Sequence, residues 1–204
     1  MTVPLLAIDT SGARLQLGLM RQSDVLTAIE ARERGHAEIL FGRIAGLLAE
    51  AGQTYADLRR IAVVTGPGSF SGLRIGLSAA RGLALALSIP VIGVPRLLGL
   101  SLTAGGPGPI GVLVDAHRGE AYCETFTAPG QGGSGTALMP HEAARAAISG
   151  CAIRIESEFG DIAAIARFAA TADPAAFPSL PAYIRAADAK PQEKGRIARV
   201  GAGP

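Results

Sequence analysis

The sequence predicts an α/β fold of two lobes, each of which opens with an antiparallel hairpin on a mixed sheet. An apolar strand that ends in Asp, followed by a turn and a second strand, occurs at Leu5–Asp9 and again at Ile110–Asp115. Between the repeats, a buried strand at residues 61–64 leads through a glycine loop into an apolar helix, a combination typical of α/β proteins. Residues 104–109 are almost all turn formers and separate the two repeats.

Composition sets limits on the function. The chain has 204 residues, of which 49% are hydrophobic and 18% charged, so it is long and apolar enough to bury a core. The formal net charge is only +2. This balance gives no support to a dedicated nucleic-acid surface, since such surfaces need an excess of Lys and Arg.

The sequence also predicts a cytoplasmic protein that is not held in a membrane. The first residues show no basic and apolar leader, and charges or Pro interrupt every apolar run before it reaches the length of a membrane span. Cys123 and Cys151 form no CxxC pair, which favours reduced thiols.

The first predicted lobe covers residues 1–104. Three short strands joined by tight turns, at residues 5–9, 15–20 and 25–30, predict an antiparallel meander. A helix is expected over His36–Glu50, where apolar residues recur at helical spacing. The further predicted elements are the strand at 61–64, the helix that follows the glycine loop to Leu87, a strand at 91–94 and a helix at 95–103.

The second predicted lobe, residues 105–187, is smaller, and residues 188–204 are expected to form a polar tail. Residues 129–135 are predicted to be a loop. The elements predicted for this lobe are strands at 110–115, 120–127, 151–155 and 182–185, and helices at 141–149 and 161–170.

Asp9 and Asp115 each follow an apolar strand, and two uses fit them. Paired carboxylates at facing hairpins, together with Thr10 and Ser11, are able to hold a Mg²⁺-nucleotide. A carboxylate at this position also caps a tight turn through its own backbone. The capping interpretation is favoured, because the residue directly after each Asp is not the glycine that close approach to phosphate requires.

The glycine loop at residues 66–72 also has two uses. Its amides at a helix N-terminus would bind an anion, although no Gly-Lys-Ser/Thr closes it as in a P-loop. Alternatively, Gly72, Gly76, Ala80 and Ala84 are spaced by four and form a row of small side chains along the helix. The row favours close packing, and we expect it to receive a neighbouring helix.

No catalytic residue and no metal site are predicted. His36 has no second His four residues away, and His117 and His141 lie in other segments. The serines of the glycine loop lack the Gly-x-Ser-x-Gly setting of a nucleophile, so Ser69 and Ser71 are expected to cap the helix.

Several segments together resemble one family. The stretch that contains Gly66, Pro67, Gly68, Ser69, Phe70, Gly72 and Arg74 resembles the signature of the bacterial TsaB family, also called YeaZ. Residues 8–11, 35–38, 115–122 and 181–185 match the same family in the same order. The second lobe departs from the family pattern, since it is short and residues 155–160 stand where a glycine-rich segment is usual.

The resemblance implies an actin/Hsp70-like ATPase fold, which is ribonuclease H-like. It also implies a role in tRNA threonylcarbamoyladenosine modification, at the adenosine next to the anticodon in tRNAs that read codons starting with A. In that family TsaB is a non-catalytic scaffold for the transferase TsaD, with TsaE as the associated ATPase. The tRNA is reached through the complex.

The family pairs through its first two long helices, as a homodimer when alone or as a heterodimer with a TsaD-type paralogue. Carried onto this sequence, the resemblance and the small-residue row place the interface at eight positions. These are His36, Leu40, Ile44, Leu47, Gly72, Gly76, Ala80 and Ala84.

One alternative from another class stays open at this point. A small kinase or ATPase of the same fold would use Asp9 and Asp115 with Mg-ATP. The scaffold interpretation expects no tightly bound cofactor in this chain alone, and leaves ATP or ADP at the interface of the complex as an option.

Overall fold

The computed structural model describes residues 3–31 and 35–185 in two sheets and five helices, and the predicted tail at 188–204 lies outside the described residues. A 3₁₀ turn at Tyr55–Asp57, absent from the prediction, precedes β4. The strands are β1 (Leu5–Asp9), β2 (Arg14–Arg21), β3 (Asp24–Ala31), β4 (Arg60–Gly66), β5 (Val91–Pro95), β6 (Ile110–Asp115), β7 (Glu120–Phe126), β8 (Ala137–Pro140) and β9 (Ile153–Glu156). The helices are α1 (His36–Glu50), α2 (Phe70–Leu87), α3 (Arg96–Ser101), α4 (His141–Ala147) and α5 (Ile162–Thr171).

The first sheet has the strand order β3-β2-β1-β4-β5. β1, β2 and β3 form the predicted antiparallel meander, and β4 and β5 add to it in parallel. All five residues of β1 are buried, because helices cover both faces of the sheet. The prediction of a hairpin on a mixed sheet is confirmed for this lobe.

The two faces of the first sheet are covered by different parts of the chain. α1 and α2 pack on one face, over side chains such as Leu6, Ile8 and Val63. α5 packs on the other face, where Ile165 lies among the side chains of β1 and β4. The assignment of all of residues 105–187 to the second lobe is therefore wrong for α5. Sequence periodicity gave the helix but not the sheet that it covers.

The second sheet has the strand order β8-β7-β6-β9 and, like the first, combines an antiparallel hairpin with a parallel strand. β6 and β7 form its antiparallel hairpin, and β9 runs parallel to β6, so this lobe also opens as predicted. α3 packs on one face and α4 on the other. β8 was not predicted, because only five residues separate the glycine-rich segment at 130–135 from α4.

Residues 178–185, called the strap here, close the described part of the chain. The chain passes β5, where the Gly93 N–H donates to the Phe177 carbonyl at 2.8 Å, and then runs to the end of β4, where the Ala182 N–H donates to the Thr65 carbonyl at 2.9 Å. The strap is not the strand predicted at 182–185, since it makes no ladder of hydrogen bonds.

The eight residues predicted at a partner interface lie in the core of this chain. All eight are buried, and even Ala84 is only 6% exposed. The small-residue row faces β1 and β4: a Cβ at Gly76 would lie 2.4 Å from Thr10 Oγ1 and 3.5 Å from Val63. The prediction of tight packing was right, but the neighbour is the chain's own sheet and not another helix.

α2 is long and apolar enough to cross a membrane by length and composition alone. This is weak evidence for a span, because core helices meet the same criteria, and seven residues of α2 are buried against the sheet and its neighbours.

Candidate functional site

Both hairpin carboxylates cap their own turns. Asp9 is buried, and its Oδ1 accepts hydrogen bonds from the Ser11 N–H at 2.8 Å and the Ser11 hydroxyl at 2.7 Å. Asp115 Oδ1 accepts from the His117 N–H at 2.9 Å, and its other oxygen lies 3.5 Å from His117 Nδ1. The geometry matches the turn-capping interpretation at both positions. Asp115 also faces the space between the lobes.

The glycine loop holds α2 against the first hairpin. The Ser69 N–H donates to the Ser11 carbonyl at 2.8 Å, and the Thr10 hydroxyl donates to the Gly72 carbonyl at 2.7 Å. A Cβ would lie 2.3 Å from the Ser11 carbonyl oxygen at Gly68 and 2.0 Å from the Thr10 carbonyl oxygen at Gly72. The Ser69 N–H, which an anion at this helix N-terminus would use, thus already donates to a carbonyl of the chain itself. Ser69 caps α2 by accepting from the Gly72 N–H, as predicted.

A cleft of about 930 Å³ lies between the lobes. The two hairpin turns, the glycine loop and the strap line it, and Arg96 lies in its wall. The Arg96 guanidinium donates to the Pro67 carbonyl at 3.2 Å and to the Glu158 carbonyl at 2.5 Å. Burial lowers the pKa of Arg96, and the nearby negative charges of Asp9 and Glu158 oppose that shift. The cleft thus has a buried cation in its wall.

At one rim of the cleft, aromatic and cationic side chains meet. The rings of Phe70, at the start of α2, and Tyr183, in the strap, lie 5.3 Å apart between centroids. The Arg74 guanidinium lies 4.0 Å from the centre of the Phe70 ring. Arg81, two turns further along α2, donates to the backbone and hydroxyl of Ser179.

A second exposed feature is the side of α1 and α2 that faces away from the sheet. Phe41 is 51% exposed and Leu85 84% exposed, which is high for large apolar side chains. A Cβ at Gly42, Gly46 or Gly82 would meet nothing within 4 Å. We call this surface the outer face; it consists of Phe41, Gly42, Ala45, Gly46, Gly82, Leu85 and Ala86.

The described residues, 3–31 and 35–185, contain no group of three or more His, Cys, Asp or Glu that could hold a metal ion. His36 is buried at the start of α1, whereas the His117 side chain is 82% exposed. The three histidines stay in separate elements, as the sequence places them.

Sequence reasoning missed two arginines of this site. Arg96 links the glycine loop to residue 158, and Arg185 in the strap donates to the Ala116 carbonyl at 3.0 Å and to Glu120 at 2.6 Å. Arg96 reaches the Glu158 carbonyl across 62 residues of sequence, and Arg185 reaches the Ala116 carbonyl across 69. No local pattern shows these contacts, although Arg185 lies in the segment 181–185 that matches the family. The one available signal was an Arg in the first turn of α3, next to a strand end in an α/β unit.

Comparison with known proteins gives a consistent result. A family model described as TsaD, tRNA N6-adenosine threonylcarbamoyltransferase, matches residues 29–133. The tRNA threonylcarbamoyladenosine biosynthesis protein TsaB of Escherichia coli is 33% identical over 121 residues, which cover 58% of this chain and 52% of that protein. A tRNA N6-adenosine threonylcarbamoyltransferase of a Ruegeria species is 45% identical over 74 residues, covering 36% of this chain and 20% of that protein.

Among solved structures, a protein of Pseudomonas aeruginosa described as uncharacterized and similar to peptidase YeaZ superposes with a TM-score of 0.76 at 25% identity. The match covers 90% of this chain and 100% of that one, and it agrees with the predicted actin-like, ribonuclease H-like α/β fold. In sequence, the chain spans about half the length of the curated relatives it matches.

Proposed function

Because the chain belongs to the TsaD family, in its TsaB (YeaZ) branch, we propose that it is a non-catalytic subunit of a tRNA-modifying complex. It binds a TsaD-type transferase and supports N6-threonylcarbamoylation of the adenosine next to the anticodon, in tRNAs that read codons starting with A.

The observation that carries this proposal is the outer face. Burying Leu85 and Phe41 against a partner would remove two largely exposed apolar side chains from water, a gain of about 1.5–3 kcal/mol for each that becomes fully buried. The glycines around them let another backbone approach closely. The docking residues are thus those of the outer face, on the side of the helices opposite to the eight core residues.

The kind of partner follows from similarity between the chains. The same family model describes a transferase and matches this chain, and the match includes α1 and α2. Two related chains that carry the same helix pair are able to meet face to face about an approximate two-fold axis. The same geometry gives a homodimer when the transferase is absent.

We extend the proposal to the other members of the complex. A TsaE-type ATPase joins the complex, and tRNA is bound by the assembled complex. ATP or ADP is held at the interface of the complex and not tightly by this chain alone. We place the protein in the cytoplasm, where its two free cysteines would stay reduced.

The pairing is tested with Leu85→Asp, which puts a charge at the most exposed apolar position of the outer face. Size-exclusion chromatography of the chain with a co-expressed TsaD-type transferase should show the complex lost, because a buried unpaired carboxylate is costly. Reconstituted tRNA threonylcarbamoylation should fall with it. Ile29→Asp is the matched control: Ile29 is 51% exposed and lies on β3, and its neighbours Ala28 and Glu30 point to the opposite side.

The two variants separate the outcomes. Loss of the complex in Leu85→Asp with an intact complex in Ile29→Asp supports the outer face. An intact complex in Leu85→Asp overturns the assignment of the interface. If wild-type chain has no effect on threonylcarbamoylation, the proposed function itself is overturned.

The cleft supports a second candidate, a kinase or ATPase of the same fold, because its volume and the position of Asp115 suit a nucleotide. Calorimetry of the isolated chain with Mg²⁺-ATP decides between the two. Tight binding that is lost in both Asp9→Ala and Asp115→Ala favours the enzyme, whereas no heat of binding in the wild-type chain favours the scaffold.

A further inference from the structure

We propose that the surface where α2 meets the strap docks single-stranded RNA, with bases stacked on Phe70 and Tyr183 and phosphates held by Arg74 and Arg81. We call these four residues the stacking surface. The proposed function is used only to name the RNA, the unpaired loop of a tRNA; the surface itself is argued from the side chains.

The two rings are unusually open for aromatic side chains. Phe70 is 55% exposed and Tyr183 49% exposed, and the planes of their rings are inclined by 41°. The rings are neighbours but come from segments more than a hundred residues apart, and each has part of its surface in solvent. Exposed rings next to one another form the type of platform on which successive bases stack.

The cations of the surface are not neutralised. Within the part of the chain that the structure describes, neither Arg74 nor Arg81 forms an ion pair with a carboxylate, and α2 contains no acidic residue. The strap contains no acidic residue. Of the acidic residues beside the cleft, Glu120 accepts from Arg185, Asp115 caps its turn and lies beside His117, and Glu158 lies near the Arg96 guanidinium. The surface is therefore locally positive although the whole chain is nearly neutral.

The combination selects RNA over an acidic peptide. A Glu-rich peptide would satisfy Arg74 and Arg81 but leave both rings in water. A single strand supplies phosphates for the arginines and flat bases for the rings, and the guanidinium already lying over Phe70 extends the stack. The low net charge of the whole chain gave no support to a nucleic-acid surface. That charge does not describe a small local surface, and two stacked bases with two phosphate contacts need only the four residues of the stacking surface.

The outer face and the stacking surface adjoin only at Arg81. Leu85 follows Arg81 by four residues and lies about 40° from it around α2, whereas Phe70 lies fifteen residues, about 22 Å, before Leu85 along the helix. A partner over Gly82 and Leu85 thus approaches Arg81 but leaves the two rings and Arg74 open.

The test is fluorescence anisotropy of the full-length chain with a labelled 17-nucleotide RNA hairpin that carries a seven-nucleotide loop, at about 50 mM salt. Tyr183→Ala should weaken binding about 5-fold or more, since a base that loses its stacking partner loses this much. Arg74→Gln should weaken binding and lower the slope of log K against log salt by about 0.7, the value for one phosphate contact on a single strand. Phe41→Ala and Arg154→Gln are the matched controls, one half-exposed ring and one exposed arginine located elsewhere.

Three results overturn the inference: no binding by the wild-type chain, equal losses in the variants and the matched controls, or equally tight binding of a Glu-rich peptide. Size-exclusion chromatography with the transferase keeps this test apart from that of the proposed function. Tyr183→Ala should still form the complex, and Phe41→Asp, an outer-face variant on α1, should still bind the hairpin.

Discussion

At the scale of single residues, Gly72 determines how closely α2 approaches the first sheet. Its carbonyl accepts from the Thr10 hydroxyl, and its Cα lies where a methyl group would meet the Thr10 carbonyl oxygen at 2.0 Å. The helix is therefore fixed to the end of β1 by a hydrogen bond and by the missing side chain together. Gly82, ten residues later in the same helix, has open space around it.

Replacing each glycine by Ala separates packing from helix propensity. Gly72→Ala should lower the free energy of unfolding by about 1–3 kcal/mol, because the backbone of α2 or of the β1–β2 turn has to move. Gly82→Ala should raise it by up to about 1 kcal/mol, since Ala favours the helix and meets nothing. Urea denaturation of both variants measures the difference. Equal stabilities would contradict the tight contact at Thr10.

At the scale of elements, α5 is attached to the first sheet at its end as well as along its apolar face. Arg60, the first residue of β4, donates to the carbonyls of Ala169 at 3.0 Å and Ala172 at 2.7 Å. These carbonyls belong to the C-terminal end of α5, where the helix dipole favours a cation. Arg59 differs, because it donates only to the nearby carbonyls of Ala56 and Leu58 among the described contacts.

Arg60→Ala should loosen α5. The loss of two hydrogen bonds from a charged donor should cost about 1–3 kcal/mol, and amide hydrogen exchange should rise over residues 162–171. Arg59→Ala removes the same charge without touching α5 and should leave exchange there unchanged. Similar exchange profiles for the two variants would show that Arg60 does not hold the helix.

The elements themselves could be read from the sequence, because their signals are local. Apolar spacing marked α1 with both of its ends, and the glycine loop predicted a start of α2 at Gly72, two residues after its actual start at Phe70. β8 was missed because it is short and follows a glycine-rich loop. The surfaces that the elements cover could not be read in the same way. The row from Gly72 to Ala84 identifies a face of α2, but periodicity does not say whether a sheet, a helix or another protein fills it.

In the candidate site too, local contacts could be predicted from the sequence, whereas contacts between distant segments could not. The turn-capping role of Asp9 was predictable, since the carboxylate bonds its own turn. Arg96, Arg185 and the pairing of Phe70 with Tyr183 were not, because each depends on where segments far apart in sequence meet. The approach of the strap to α2 creates both the cleft rim and the stacking surface.

At the scale of the whole molecule, Arg96 joins the two lobes below the cleft. Its guanidinium reaches the loop before α2 on one side and the loop after β9 on the other. Arg14 lies over the Phe159 ring at 3.9 Å and brings the first hairpin to the same loop. The relative position of the lobes thus depends on a few long side chains as well as on the strap.

Arg96→Met keeps most of the buried volume but removes both hydrogen bonds across the lobes. The free energy of unfolding should fall by about 2–3 kcal/mol, because two carbonyls lose a charged donor. Arg154→Met removes an exposed arginine of β9 and should have little effect. Thermal denaturation checks both, and an unchanged midpoint for Arg96→Met would mean that the lobes do not depend on this link.

The return of the chain to the first sheet has a consequence for how the protein is made on the ribosome. One face of that sheet, which includes Leu5, Ala7 and Ile92, is covered by α5. Until residue 171 has been synthesised, this face remains exposed to water and to other nascent chains. Contacts between residues so far apart also form slowly. The two lobes therefore cannot mature one after the other: the first becomes complete only when the second has already been translated.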